Sequence, residues 1–169
     1  MDRRVTKTVS EPSKNPQVGG LLRVADDLCL LRGSRHVQQA ALRRAISTAY
    51  YAVFHSLCTV CADGLVGWSR ADLVPSVYRA LDHAAARRRL IGQDIAAISR
   101  DMAQIGTLFE TLQEQRHVAD YAPPSILVTR PDALALVAQA RTAVGLLGRL
   151  DARTRTKLAV LLLVARRPA

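Results

Sequence analysis

Apolar residues recur at helical spacing along most of this chain. The clearest run lies in residues 91–112, where about 100° per residue puts seven apolar side chains on one stripe: Ile91, Ile95, Ile98, Met102, Ile105, Phe109 and Leu112. Arg116 and Asp120 continue the stripe, four residues apart. A charge on a core-facing stripe is costly unless it is paired or hydrogen-bonded. We therefore expect both side chains to be partly buried and close to each other or to a second polar face.

The same periodicity predicts five helices, over about 21–31, 35–62, 71–90, 93–120 and 131–150, with an extension of the last to 164 left open. The second helix has a long apolar face: Leu42, Ile46, Ala49, Tyr50, Val53, Leu57 and Val60. Glycines and prolines punctuate the boundaries, and no run alternates in the way a strand would. The sequence thus predicts an all-α, up-and-down bundle of about five helices, with the second and fourth packed antiparallel.

Three regions differ in composition. Residues 1–20 are polar, carry prolines and glycines, and lack periodicity, which is typical of a flexible basic arm. Residues 21–150 hold the predicted helical domain. Residues 151–169 form a basic amphipathic helix or tail, whose apolar run at 158–165 is either a last core helix or a surface for a dimer or partner.

Charge narrows the classes of partner. The 169 residues include 24 Lys and Arg against 14 Asp and Glu, a formal net charge of +10, and most of the cations are arginine. Arginine binds phosphate through its bidentate fork, so nucleic acid, an acidic partner or an anionic surface would suit this balance. A general compositional bias toward arginine and alanine is the competing explanation.

The sequence favours the cytoplasm as the compartment. Residues 1–20 have no apolar core of a secretory signal, and the apolar run at 158–165 is far shorter than the roughly 20 residues that span a bilayer. Three cysteines, Cys29, Cys58 and Cys61, are too few for a disulfide framework in a chain of this length. We expect no membrane attachment.

A polar face on the second helix is the first candidate for chemistry. Arg44, Thr48, Tyr51 and His55 recur at spacings of four, three and four, away from the apolar face. A solvated surface is the ordinary interpretation. The alternative is that His55, with an ordinary pKa near neutrality, contacts phosphate or moves protons.

Other motifs give weaker signals. His55, Cys58 and Cys61 recur every third residue, but without a second cysteine pair they are more typical of a buried helix wall than of a metal site. The run 87–89, three arginines, is either a solvated helix end or a phosphate contact. Walker A, Rossmann and nucleophile-elbow motifs are absent from the sequence, so we expect no cofactor and no metal.

Two segments together resemble the HEPN domain family. Residues 44–55 read Arg-Ala-Ile-Ser-Thr-Ala-Tyr-Tyr-Ala-Val-Phe-His, and residues 116–121 read Arg-His-Val-Ala-Asp-Tyr. They are similar to the sacsin-like branch, whose sequences often read Tyr-Tyr-Ala-x-Phe-His early and Arg-x-x-Ala-Asp-Tyr late. The resemblance implies a helical bundle that forms a homodimer, with the late arginine near a cleft. It also implies binding of RNA or nucleotide, or a metal-independent RNase of the kind found in toxin–antitoxin pairs with a nucleotidyltransferase-type antitoxin.

The RNase motif of that family is Arg, a polar residue, three further residues and then His. Arg116 matches the arginine and His117 the polar position, but Tyr121 stands where the histidine is expected. Tyrosine, with an ordinary pKa near 10, is a poor base at neutral pH.

Two functions remain open. The first is a module that binds RNA or nucleotide phosphate beside a nucleotidyltransferase-type antitoxin, with contacts from Arg44, Tyr51, His55, Arg116, Asp120 and Tyr121. The second is a metal-independent endoribonuclease toxin, in which Arg116 stabilises the cleaved phosphate and His55 or His117 moves protons. A purely structural dimer is a third, simpler interpretation.

Overall fold

A computed structural model of the chain describes residues 15–67 and 70–164, and within these ranges it contains helices and no strand. The all-α class predicted from the sequence is confirmed, but the described ranges hold eight helices rather than about five. They are α1 (Pro16–Leu30), α2 (Arg35–Leu65), α3 (Val74–Ala80), α4 (His83–Leu90), α5 (Gln93–Ala96), α6 (Arg100–Tyr121), α7 (Arg130–Arg149) and α8 (Ala152–Leu163). Most of the predicted arm, residues 1–14, and the basic end, residues 165–169, lie outside the described residues.

Capping side chains divide two of the predicted helices. The predicted helix over 71–90 is interrupted between α3 and α4, where Asp82 accepts a hydrogen bond from the backbone N–H of Ala85 at 2.8 Å. The predicted helix over 93–120 is interrupted between α5 and α6, where Ser99 accepts from the N–H of Met102 at 3.2 Å. A short polar side chain that satisfies a free helical N–H starts a new helix there, although the apolar period continues across the break.

The apolar stripe holds for most of its length. Ile95, Met102, Ile105, Phe109 and Leu112 are buried and Ile98 is half-buried. Ile91 is 47% exposed, so its place in the stripe is wrong. It follows the last residue of α4 and precedes both α5, which carries Ile95, and α6, which carries the stripe from Met102 onward.

The first helix begins before the predicted residue 21. Asn15 accepts a hydrogen bond from the N–H of Gln17 at 3.0 Å, and Pro16 occupies the first turn, where a missing N–H costs nothing. Val18 is fully buried. Residues 16–20 are therefore helical, and the predicted boundary of the arm at residue 20 is wrong because Pro16 starts the helix and Gly19 and Gly20 continue it.

Helix α2 is the central helix of the bundle, with α1, α6, α7 and α8 packed around it. Its predicted apolar face is buried, and Ser47, Thr48, Ser56 and Thr59 are buried as well. The interpretation of the polar face of α2 as a solvated surface is therefore wrong for Thr48. By length and composition α2 could span a membrane, but 89% of the relevant window is buried inside the protein, which makes this weak support for a span.

Helices α2 and α6 run antiparallel, as predicted. Arg43, early in α2, donates hydrogen bonds to the carbonyls of Ala119 and Ala122 at the end of α6. Further along α2, the ring of Tyr50 lies 5.5 Å from that of Phe109, near the middle of α6. The motif at 116–121 therefore lies against the first half of α2.

The chain bends by 114° between α7 and α8. Asp151 caps α8 at the N–H of Thr154, and Arg155 donates to the carbonyls of Gly148 and Leu150 at the end of α7. Leu158 and Leu162 are buried in the core. The predicted C-terminal helix is thus observed over 152–163 with one side in the core, while Val160 on its outer side and Val164 at its end are 45% and 54% exposed.

Candidate functional site

The stripe position of Arg116 and Asp120 produces an ion pair. Arg116 Nε lies 3.0 Å from Asp120 Oδ2, and the two side chains are 22% and 24% exposed. Ser47, fully buried on α2, donates from Oγ to Asp120 Oδ1. The charged groups are therefore partly shielded, paired and joined to the neighbouring helix, which is the arrangement that the periodicity predicts.

Two tyrosine rings hold the Arg116 guanidinium. Its Cζ lies 5.4 Å from the ring centroid of Tyr50 and 5.2 Å from that of Tyr51, both within the range of a cation–π contact. Burial alone would lower the pKa of Arg116, but Tyr51, Asp120 and Tyr50 raise it, so the group stays charged. Only Nε has a hydrogen-bond partner within the described residues. Both Nη groups thus remain free to donate to an anion.

His83, at the start of α4, adjoins the same two tyrosines. Its Nδ1 lies 2.7 Å from the hydroxyl of Tyr50, and its ring stacks on Phe54 at 3.7 Å between centroids. Burial lowers the pKa of His83, and the nearby charge of Arg116 lowers it further. His83 escaped the sequence reasoning because no spacing links α4 to α2; only packing reveals the contact.

His55 is separated from the ion pair by other rings. It is half-buried, and its ring lies 6.3 Å from that of Phe54 and 6.3 Å from that of Tyr78. Burial lowers the pKa of His55, and its buried Nδ1 has no hydrogen-bond partner within the described residues. The structure gives it no hydrogen bond or ring contact with Arg116, so it joins the site only through Phe54 and His83.

The structure does not bring all predicted site residues together. Arg44 is exposed, and among the described residues it forms no ion pair with the carboxylates near the site. His117 is exposed and Tyr121 is 68% exposed, with their rings 4.9 Å apart. Tyr51, Arg116 and Asp120 therefore form one cluster, while the roles of Arg44, His117 and Tyr121 remain predictions about a surface around it.

Arg43 positions the site without having been predicted. Its guanidinium donates to four carbonyl oxygens in the last turn of α6 and just after it, those of Ala119, Ala122, Pro123 and Ile126, at 2.7 to 3.1 Å. This clamp satisfies carbonyls that the helix end would leave unpaired. It fixes the end of α6 against α2, the helix that supplies Ser47 to Asp120 and two tyrosine rings to Arg116. No feature of the sequence separates Arg43 from its neighbour Arg44.

The arginine run at 87–89 is mostly occupied by the protein itself. Arg87 forms ion pairs with Glu110 and Glu114, and Arg89 donates to the carbonyls of Leu161 and Leu162. These contacts explain two of the three arginines as helix-to-helix links, so the predicted phosphate contact is left to the exposed Arg88 alone.

The cysteines on α2 are buried within the core. Burial raises the pKa of Cys58 to about 12 and raises that of Cys61 also, which leaves both thiols protonated at neutral pH. Among residues 15–67 and 70–164, no three His, Cys, Asp or Glu side chains are grouped as metal ligands would be.

The cluster around Arg116 offers a fixed cation, free guanidinium donors and a neutral imidazole within one small region. Such a set can bind an anionic group, and phosphate matches the fork of the guanidinium. A scan against protein-family models, a search of curated proteins and a search of solved structures return no match for this chain.

Proposed function

We propose that this protein is a HEPN-like module that binds RNA or nucleotide phosphate at Arg116. The observation that carries the proposal is the state of this side chain. Asp120 and two tyrosine rings fix its position and keep it charged, while both Nη groups remain without a partner among the described residues. An ion pair that only stabilises the fold would not need two tyrosine rings around its guanidinium. A guanidinium held in place with donors to spare is suited to a phosphate.

The charge of the whole chain supports the same ligand. A net charge of +10 attracts polyanions and speeds their association. Arg44 is exposed on α2, the helix that carries Tyr51. Exposed His117 and Tyr121 follow Arg116 on α6. These side chains would contact the backbone or bases of an RNA strand on either side of the bound phosphate.

The proposed biological setting is a pair with a nucleotidyltransferase-type antitoxin, and the proposed state of the protein is a homodimer. Both come from the resemblance of residues 44–55 and 116–121 to the HEPN family. The two segments lie on helices that pack against each other. This contact supports the proposal, because it brings together the two segments that carry the resemblance.

A binding titration with one matched control tests the proposal. Fluorescence anisotropy would follow a labelled oligouridylate at low salt in chelator, with the wild type, Arg116→Lys and Arg153→Lys. Arg153 is exposed on α8. Lysine keeps the charge but loses the fork, so we expect Arg116→Lys to weaken binding by about tenfold, or ~1.4 kcal/mol. Equal affinities for all three proteins would overturn the role of Arg116.

The second candidate is a metal-independent endoribonuclease. It is favoured by His55, whose lowered pKa leaves it neutral at pH 7 and whose buried Nδ1 is unpaired within the described residues. Incubation of RNA with the protein in chelator tests it. His55→Ala and Arg116→Ala should each abolish cutting. Cutting that survives both substitutions would place the chemistry elsewhere.

A further inference from the structure

His83 and Arg116 approach the same two tyrosines from different helices. The ring centroid of His83 lies 5.7 Å from that of Tyr50 and 6.1 Å from that of Tyr51. The Arg116 guanidinium carbon lies 5.4 Å and 5.2 Å from the same two centroids. The imidazole that shares these two tyrosine rings with Arg116 is thus supplied by α4, and not by the motif at 116–121.

Tyr50 determines which nitrogen of His83 carries the proton. The Tyr50 side chain is fully buried, and burial raises the pKa of its phenol, so the hydroxyl stays protonated. Within the described residues its only hydrogen-bond partner is His83 Nδ1. The hydroxyl therefore donates to Nδ1, and the neutral ring carries its hydrogen on Nε2.

The Nε2–H of His83 is a donor without an acceptor. No hydrogen bond joins Nε2 to another described residue, and Nε2 is not fully enclosed by the protein. It is therefore open to a ligand. The two Nη groups of Arg116 likewise have no hydrogen-bond acceptor among the described residues. Two helices thus present unpaired donors around one pair of tyrosines.

We propose that His83 Nε2–H and the Arg116 guanidinium bind one phosphate group together, either a phosphodiester of RNA or the terminal phosphate of a nucleotide. The inference rests on the proposed function of Arg116 and adds a second, uncharged donor from α4. Phosphate has oxygens enough to accept from both groups at once. His83 then supplies the imidazole that the family motif would place at the position of Tyr121.

Ligand binding should also change the protonation of His83. Burial, the charge of Arg116 and the proximity of His55 lower its pKa, and only Asp82 acts in the opposite direction. A phosphate between His83 and Arg116 would offset the arginine charge and stabilise the imidazolium. The pKa of His83 should therefore rise on binding.

Two substitutions of His83 separate the ligand contact from the contact to Tyr50. In His83→Asn the amide oxygen takes the place of Nδ1 and can accept from Tyr50, but nothing replaces Nε2. In His83→Gln the amide nitrogen reaches the position of Nε2. We expect His83→Asn to weaken oligouridylate binding about tenfold or more, as for a lost hydrogen bond to a charged group. We expect His83→Gln to retain most of the affinity and His36→Asn, on exposed His36, to retain all of it.

Nitrogen-15 spectra of the wild-type imidazoles supply a test that needs no variant. They should show His83 with hydrogen on Nε2 in the free protein and a raised pKa on addition of ligand. Oligouridylate without terminal phosphates and adenosine monophosphate are the two ligands. A response to the first alone identifies the phosphodiester, and a response to the second alone identifies the terminal phosphate.

The outcomes distinguish this inference from the proposed function. If the wild type binds neither ligand at low salt, both fail. If binding depends on Arg116 but His83→Asn binds as the wild type does, and the His83 spectrum does not respond, the proposed function stands and the shared phosphate site is wrong. Loss of binding in His83→Asn with retained thermal stability, together with the spectral response, supports it.

Discussion

At the scale of single residues, Asp120 links the two helices of the site. It accepts from Ser47 on α2 and from Arg116 on α6. The Arg116–Asp120 half of this link follows from the sequence, because two opposite charges four residues apart on an apolar stripe must pair or be unsatisfied. The Ser47 half does not follow, since a serine on a buried helix face gives no signal of its partner.

Asp120→Ala should destabilise the protein more than an ordinary surface change. The substitution leaves the Ser47 hydroxyl and the partly buried guanidinium without their acceptor, a loss that typically costs about 1–3 kcal/mol. Urea unfolding would measure it against Asp27→Ala, which changes an exposed carboxylate on α1 and should stay within about 0.5 kcal/mol of the wild type. Equal effects of the two substitutions would show that the link contributes nothing.

The two half-buried histidines predict a pH dependence of stability. Burial lowers the pKa of both His55 and His83 below the ordinary 6.5. The unfolded chain therefore binds protons that the folded chain refuses, so stability is full above pH 6.5 and falls as pH decreases toward the folded pKa values. The hydrogen bond from the backbone of Thr154 lowers the pKa of Asp151, so this carboxylate titrates at a more acidic pH than the two histidines.

Urea unfolding at a series of pH values checks this dependence. The free energy of unfolding should fall as the pH decreases below 6.5, and less steeply in the double variant His55→Gln/His83→Gln. His36→Gln, which replaces an exposed histidine, is the control. A wild-type profile that is flat over this range would contradict the burial of the two imidazoles.

At the scale of elements, the sequence indicates which segments are helical better than it indicates where they end. The long apolar period of α2 and α6 and their antiparallel packing follow from the pattern. The breaks at Asp82 and Ser99 do not follow from the pattern, because a capping residue inside a periodic run looks like an ordinary polar position. The position of α4 against α6 also depends on a close approach that no periodicity records.

Gly106→Ala tests that approach. A Cβ at Gly106, on α6, would clash with the carbonyl oxygen of Leu90 at the end of α4. We expect a destabilisation of about 1–3 kcal/mol, as for other overpacked sites. Gly19→Ala, in α1 with nothing within 4 Å, should instead stabilise by about 0.4–1 kcal/mol. Thermal unfolding would compare them, and a stabilised Gly106→Ala variant would contradict the observed packing of α4, which also carries His83.

At the scale of the whole molecule, α2 joins most of the features of the site. It contributes Tyr50 and Tyr51, supplies Ser47 to Asp120, and carries Arg43, which clamps the end of α6. The sequence identifies the two helices that meet and two of the side chains that pair. It does not identify His83 or Arg43, because both act through contacts between segments far apart in the chain.

The proposed homodimer is a prediction at this scale. It depends mainly on the family resemblance. Within the apolar run at 158–165, Leu158 and Leu162 are buried in the core, and only Val160 and Val164 among the described residues of the run, at 45% and 54% exposure, are left for a partner. Light scattering at micromolar protein should give about twice the 18.4 kDa of one chain. A mass of one chain at that concentration would count against the dimer and leave the phosphate site unaffected.

The most direct test of the central claim is the guanidinium spectrum of Arg116 during titration with RNA. The account places the phosphate on the Nη groups while Nε remains bonded to Asp120. The Nη signals of Arg116 should shift and exchange more slowly with water as oligouridylate is added, and the effect should weaken steeply with salt. If RNA binds while the signals of Arg116 stay unchanged and those of exposed Arg153 respond instead, the phosphate site lies elsewhere.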